Sequence, residues 1–195
     1  MTFAEPTRTH SLDDRLILVY DDLFTDQEVG NFASVVMQLD YRRRPSFDRE
    51  LSAALDCDMF RAAPFLFTLT EAIHAEMRGA FALSDPSVGL SHVYAAAIGS
   101  DACGTVHTDT SDPQAITFLY YANPSWRAGW AGETVFYDAR GDASVVVAPR
   151  PGRLAVFHSN ILHRAGIPHP DTPTYRYTVS VFYYPERERA RMAAT

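Results

Sequence analysis

Thr174-Tyr175-Arg176-Tyr177-Thr178-Val179-Ser180-Val181-Phe182 decides how this chain is read. The stretch is β-branched and aromatic, and Arg176, Thr178 and Ser180 recur at the two-residue period of a strand whose faces meet different surroundings. An arginine on the inner face of so apolar a strand needs an anion, because an unpaired buried charge is costly. Guanidinium offers a planar bidentate fork, and a hydroxyl two residues on adds a donor, so Arg176 and Thr178 together suit a carboxylate. A structural ion pair with an acidic side chain is the alternative.

Working back from this strand, short runs rich in Val, Thr, Tyr and Phe alternate with Gly, Pro, Asp and Asn clusters. They predict strands near 91–98, 104–108, 114–122, 133–137, 144–148, 153–158 and 174–184, the pattern of a β-sandwich or jelly roll. The first half reads as mostly helical. A short strand over 16–20 leads to Thr25-Asp26-Gln27-Glu28, a capping box that opens a helix through about Leu39. Its apolar residues, Val29, Phe32, Val36 and Leu39, keep helical spacing. A second helix is predicted from Ala63 or Pro64 to Ala82, with proline acceptable in its first turn. The expectation is a mainly β fold with flanking helices, an α+β chain forming one domain over 1–195. Residues 1–83 are its helical support, 84–184 its β core, and 185–195 a charged, solvated helical tail.

Composition narrows the chemistry. Of 195 residues, 47% are hydrophobic and 12% aromatic, ample for a packed core. The net charge of −7 argues against a protein that lives on phosphate contacts. All 17 basic residues are Arg, which removes Schiff-base lysines, lysine general bases and Walker-type phosphate loops. Cys57 and Cys103 form no close pair, so neither a disulfide framework nor a cysteine zinc site is expected. The polar start lacks an apolar signal core and no stretch reaches membrane-spanning length, so the expected location is the cytoplasm, with no membrane partner.

Seven histidines remain to be read. His10, His74 and His92 are read as core or surface residues. In His107-Thr108-Asp109, an extended backbone would send the imidazole and the carboxylate to one side. With one further histidine they make a 2-His-1-carboxylate triad, which leaves open positions on an octahedral iron. His158 and His163, following Pro151-Gly152-Arg153-Leu154, both supply candidates.

The order and spacing of these pieces resemble the prolyl-4-hydroxylase-like branch of the Fe(II)/2-oxoglutarate dioxygenases. The resemblance runs from about Tyr94 to Tyr184. It rests on His107-Thr108-Asp109, Tyr120-Tyr121-Ala122-Asn123-Pro124-Ser125-Trp126, Gly129-Trp130-Ala131-Gly132-Glu133-Thr134-Val135-Phe136, Pro151-Gly152-Arg153-Leu154, Leu162-His163 and Arg176-Tyr177. Ala122 and Ala131 stand where the family has a Leu-like residue and a Gly. The resemblance implies a double-stranded β-helix, a cupin-like jelly roll, with the N-terminal helices packed on its major sheet. It implies Fe(II) held by His107, Asp109 and His163, the last chosen over His158 because the family's second histidine follows a Leu about a dozen residues before the arginine. It also implies 2-oxoglutarate bound through Arg176, Thr178 and Tyr121, with Tyr120 the alternative if the register slips, and O2 as co-substrate. Because Asp109 is kept where related halogenases have a small residue, the implied reaction is hydroxylation.

Substrate contacts are expected from Tyr94, the loop 99–105, the loop bearing Trp126 and Trp130, and Arg43 within Arg42-Arg43-Arg44 on the helical side. The expected partner is a small molecule, an amino acid or a specialised metabolite, and not nucleic acid. A peptidyl hydroxylase, a cupin-type metal protein without 2-oxoglutarate turnover and a non-catalytic binding module are the rivals. The family's nucleic-acid demethylases carry a second arginine after the anchor, which this chain lacks.

Overall fold

The computed structural model describes residues 5–43, 51–55, 64–102 and 104–193; Arg44, Cys57, Ala63 and Cys103 lie outside them. Two antiparallel sheets carry the fold. The major sheet runs, from edge to edge, β1 (Arg8–Leu12), β2 (Arg15–Tyr20), β9 (Leu154–His158), β6 (Ile116–Tyr121), β11 (Arg176–Tyr184), β5 (Gly89–Ile98), β4 (Leu51–Leu55) and β3 (Arg42–Arg43). The minor sheet orders β10 (His163–Ala165), β7 (Thr134–Tyr137) and β8 (Ala143–Val147). This is the double-stranded β-helix, with helices outside it.

Side-chain alternation sorts the core into two layers. Val179, Val181 and Tyr183 of β11, with Phe118 and Tyr120 of β6 and Leu154 and Val156 of β9, face the helices. There they meet Phe32 and Val36 of α1 (Asp26–Val36) and Leu66 and Ile73 of α2 (Pro64–Met77). The intervening residues, among them Leu119, Tyr121, Ala155 and Phe157, turn inward against Phe136, Val145 and Val147 of the minor sheet. Helix α1 opens on the capping box: the Thr25 side chain accepts from the Glu28 amide and the Glu28 carboxylate accepts from the Thr25 amide. It stops at Val36 and α2 at Met77, each short of the expected end.

The first half departs from its helical reading. Residues 8–12, 42–43 and 51–55 are strands, and Arg42 and Arg43 lie on an edge strand of the major sheet, not on the helical side. Arg8–Leu12 alternates exposed and half-buried positions before ending on a buried leucine, and as an edge strand it reads as a polar tail. Leu51-Ser52-Ala53-Ala54-Leu55 favours helix by composition, and its pairing with β5 overrides that preference. The tail is helical, α3 (Glu186–Ala193), yet it is tied down: Arg187 and Arg189 bond to the loops at 85–87 and 110–112. No helix among the described residues is long and apolar enough to cross a membrane.

Candidate metal centre and co-substrate pocket

His107 and Asp109 are not on a strand. Gly99, Gly104 and the Asp, Ser and Pro residues around them break the segment, and the expected strand at 104–108 is replaced by an isolated bridge. His107 exchanges both backbone hydrogen bonds with His163, at 2.9 and 2.8 Å, and the Asp109 amide donates to the Ser159 carbonyl at 2.9 Å. These pairings, rather than a strand period, bring the three side chains together, with candidate ligand atoms all within 4.8 Å of one another.

Each side chain is oriented by a second contact. The His107 Nδ1 lies 3.1 Å from the Thr105 carbonyl and the His163 Nδ1 2.9 Å from the Ile161 carbonyl. A carbonyl only accepts, so both protons sit on Nδ1 and both Nε2 lone pairs face Asp109, whose Oδ1 is 3.7 and 3.8 Å away. The other carboxylate oxygen, Oδ2, accepts from the Thr117 hydroxyl at 2.7 Å, and Thr117 meets Ser159 at 2.8 Å. Burial opposes the charge on Asp109, but His163, Thr117 and His107 outweigh it and hold its carboxyl below the usual range. Burial also depresses His163, against the pull of Asp109. Two neutral imidazoles and an ionised carboxylate form the donor set a divalent cation requires, and this set suits non-haem Fe(II).

The same cavity reaches Arg176. That side chain is 1% exposed. Its Nε donates to the Gly132 carbonyl at 2.7 Å and an Nη to the Thr134 hydroxyl at 2.8 Å, with the Tyr121 ring 5.1 Å away. Among the described residues no carboxylate pairs with it, so the structural ion pair is not the reason this arginine is buried. Thr178 and Ser180 line the cavity beside it on β11.

Tyr121 enters indirectly. Its hydroxyl donates to the Val147 carbonyl at 3.0 Å and meets Thr134 at 2.7 Å, so Thr134, not Tyr121, forms the cavity wall. Tyr120 points to the opposite face, edge-on to Phe24 and Phe32. Of the candidate substrate residues Tyr94 lines the cavity, and Trp126 and Trp130 do not. The tryptophans pack edge-to-face at 5.5 Å, and Trp126 donates to the Ala131 carbonyl. The backbone of Arg43 lies in β3, two strands from Tyr94 in β5. Thr117 and Thr134 went unread in the sequence. The signal for each is a lone hydroxyl among apolar neighbours on a strand's inward face, and Thr134 sits inside a motif already singled out.

That motif also carries strain. Ala131 adopts φ 56° and ψ −143°, a region suited to glycine, and Gly132 follows at φ +82°. A Cβ on Gly132 would stand 3.1 Å from Trp126 and 3.3 Å from the Arg176 side chain, so only glycine keeps its carbonyl on Arg176. Ala131→Gly is expected to stabilise the fold by about 1 kcal/mol, read by urea denaturation of the apo-protein, through relief of that backbone cost.

The family model of the 2OG-Fe(II) oxygenase superfamily matches residues 92–184. No curated protein matches the chain in sequence. Among solved structures, a prolyl hydroxylase from Trichoplax adhaerens, in complex with a hypoxia-inducible-factor degradation-domain peptide, is similar at TM-score 0.70 and 21% identity, covering 90% of this chain and 86% of its own. HygX from Streptomyces hygroscopicus, with nickel and 2-oxoglutarate bound, gives TM-score 0.63 and 16% identity, covering 87% and 83%. A Pseudomonas putida prolyl-4-hydroxylase gives 0.66 and 17%, covering 87% and 92%. These likenesses concern the fold; the matched core carries the donor set and the buried arginine, and residues 92–184 form a domain of the 2OG-Fe(II) oxygenase superfamily, dioxygenases that use Fe(II), 2-oxoglutarate and O2.

Proposed function

We propose that this enzyme hydroxylates an unactivated C–H bond of a small molecule, an amino acid or a specialised metabolite, with His107, Asp109 and His163 as the iron ligands. The observation that carries the proposal is Arg176: a buried guanidinium without an acidic partner among the described residues, in one cavity with the triad. A guanidinium so placed suits an anion, and the 5-carboxylate of 2-oxoglutarate fits its fork, with Thr178 adding a donor. Tyr121 orients the fork through Thr134 and through the face of its ring.

Iron, 2-oxoglutarate and O2 together supply the oxidant that removes hydrogen from the substrate, with release of succinate and CO2. The chain's own contribution is orientation and exclusion of water. The Thr105 and Ile161 carbonyls fix the imidazole tautomers, and Thr117 leaves one oxygen of Asp109 turned to the centre. Leu119, Phe157 and Ala165 keep the cavity between triad and arginine apolar. Tyr94 lines the substrate side.

A small-molecule substrate is supported by fold likeness to HygX, also solved with hygromycin B, and to the epimerase SnoN from nogalamycin biosynthesis. The second reading, a peptidyl hydroxylase, draws on the fold likeness to a prolyl hydroxylase solved with a peptide. Anaerobic addition of Fe(II) and 2-oxoglutarate to the apo-protein is expected to give the weak visible charge-transfer absorption of the chelate. Succinate release is then expected to rise with small molecules and not with proline-bearing peptides. Stimulation by peptides alone would move the substrate to the second reading, and absence of the chelate absorption would remove the oxygenase mechanism altogether.

A further inference from the structure

Helix α3 buries no residue of its own, yet it is held against the metal-site loop by a concentrated set of polar contacts. Arg187 forks onto Asp112, with Nε and one Nη each 2.7 Å from a carboxylate oxygen, and its other Nη reaches Asp85. Glu188 accepts from the Thr110 hydroxyl at 3.0 Å, and that hydroxyl in turn accepts from the Asp112 amide at 3.3 Å. The turn so gripped begins one residue after Asp109. Asp109 has two other restraints, its amide on Ser159 and its Oδ2 on Thr117. Contacts from α3 therefore form a third anchor, on the side of the carboxylate where the chain leaves the site.

A single exposed ion pair contributes little. Arg187 is 55% exposed, but Asp112 is 5% exposed and Asp85 18%, and the bidentate geometry onto a nearly buried carboxylate is the exception to that rule. Such a contact fixes a position more than it adds stability. We infer that α3 is a positioning element of the metal centre: Arg187 and Glu188 hold the 110–112 turn and so set where the Asp109 carboxylate stands. The inference rests on the proposed role of Asp109 as an iron ligand. It makes metal affinity depend on side chains that never enter the cavity.

The test is a titration of the apo-protein with Co(II), followed by its visible d–d absorption, alongside thermal unfolding of each apo-variant. Loss of the Co(II) signal in His163→Ala establishes that the triad is being read; wild-type binding there removes the Asp109 role and this inference with it. Arg187→Ala is expected to weaken Co(II) about 10-fold and Thr110→Val several-fold, the scale for residues that orient metal ligands. Arg150→Ala, which removes ion pairs with Asp21 and Asp22 elsewhere, should bind Co(II) as the wild type does. If Arg187→Ala does not fold, Thr110→Val, close to isosteric, decides alone. Wild-type affinity in either folded variant, with only the unfolding temperature lowered, makes α3 a structural cap and overturns the inference.

Discussion

In an anaerobic titration with Fe(II) and 2-oxoglutarate, His163→Ala is expected to give no charge-transfer absorption and no succinate release, whereas His158→Ala is expected to give both. The two residues are five apart and both are buried, so burial does not separate them; strand parity does. On β9, Leu154, Val156 and His158 alternate with Ala155 and Phe157, and the first set faces the helices. His158 therefore looks away from the triad. Its Nδ1 accepts from the Leu16 amide at 3.0 Å, its Nε2 donates to the Phe81 carbonyl at 3.1 Å, and its ring packs on Phe81 at 4.7 Å. Burial depresses its pKa, so this structural histidine is neutral. Removing it leaves two buried backbone groups unpaired, a cost of about 2 kcal/mol. For a chain of this length that lowers the unfolding temperature by about 4–8 °C. The converse result, loss of the chelate in His158→Ala and its retention in His163→Ala, would exchange the two assignments.

Most of the second half of the fold was legible because its longer strands are bounded by turn residues and carry two kinds of face; the expected strand at 104–108 does not form, and the three-residue β10 is too short to show a pattern. Arg176, Thr178 and Ser180 against Tyr177, Val179 and Val181 is the clearest instance, and the structure puts the two sets on opposite sides of the major sheet. The capping box at Thr25 was legible because its two hydrogen bonds are local. What escaped was non-local. The strand at 51–55 exists through pairing with β5, against its own alanine-rich preference, and the edge strand at 8–12 buries too little to show a pattern. At the site, His107 and Asp109 were found by residue type and spacing, although the strand expected to present them does not form. A bridge to His163 performs that task, and it joins segments 56 residues apart in sequence. Thr117 and Thr134 gain their meaning only from what stands opposite them, Asp109 and Arg176. The backbone cost of an alanine at 131 shows only in its positive φ, which the sequence does not carry.

Arg176→Met is expected to separate co-substrate binding from folding. In the apo-protein the guanidinium is buried against a carbonyl, a hydroxyl and an aromatic ring, all neutral, so its desolvation is only partly offset. A flexible apolar side chain of similar length fills the space without that penalty, and the apo-variant is expected to be as stable as the wild type or more so, within about 1 kcal/mol. Removing one partner of a buried charged pair costs about 2–4 kcal/mol of binding, so the 2-oxoglutarate Kd should rise about 30- to 1,000-fold. Metal affinity should stay within a factor of about two, since the triad keeps its orienting contacts with Thr105, Ile161 and Thr117, as sites without shared partners act independently. Thermal unfolding reports both effects. At 100 times its Kd, 2-oxoglutarate is expected to stabilise the metal-loaded wild type by about 2.7 kcal/mol, and the same concentration should stabilise the variant by no more than about 0.9 kcal/mol. Arg176→Lys should fall between, because an ammonium keeps the charge but loses the planar fork. Were the Met variant instead to unfold while a surviving Lys variant bound 2-oxoglutarate as the wild type does, Arg176 would be a structural residue holding Gly132 and Thr134. The anion site would then have to be sought elsewhere in the cavity.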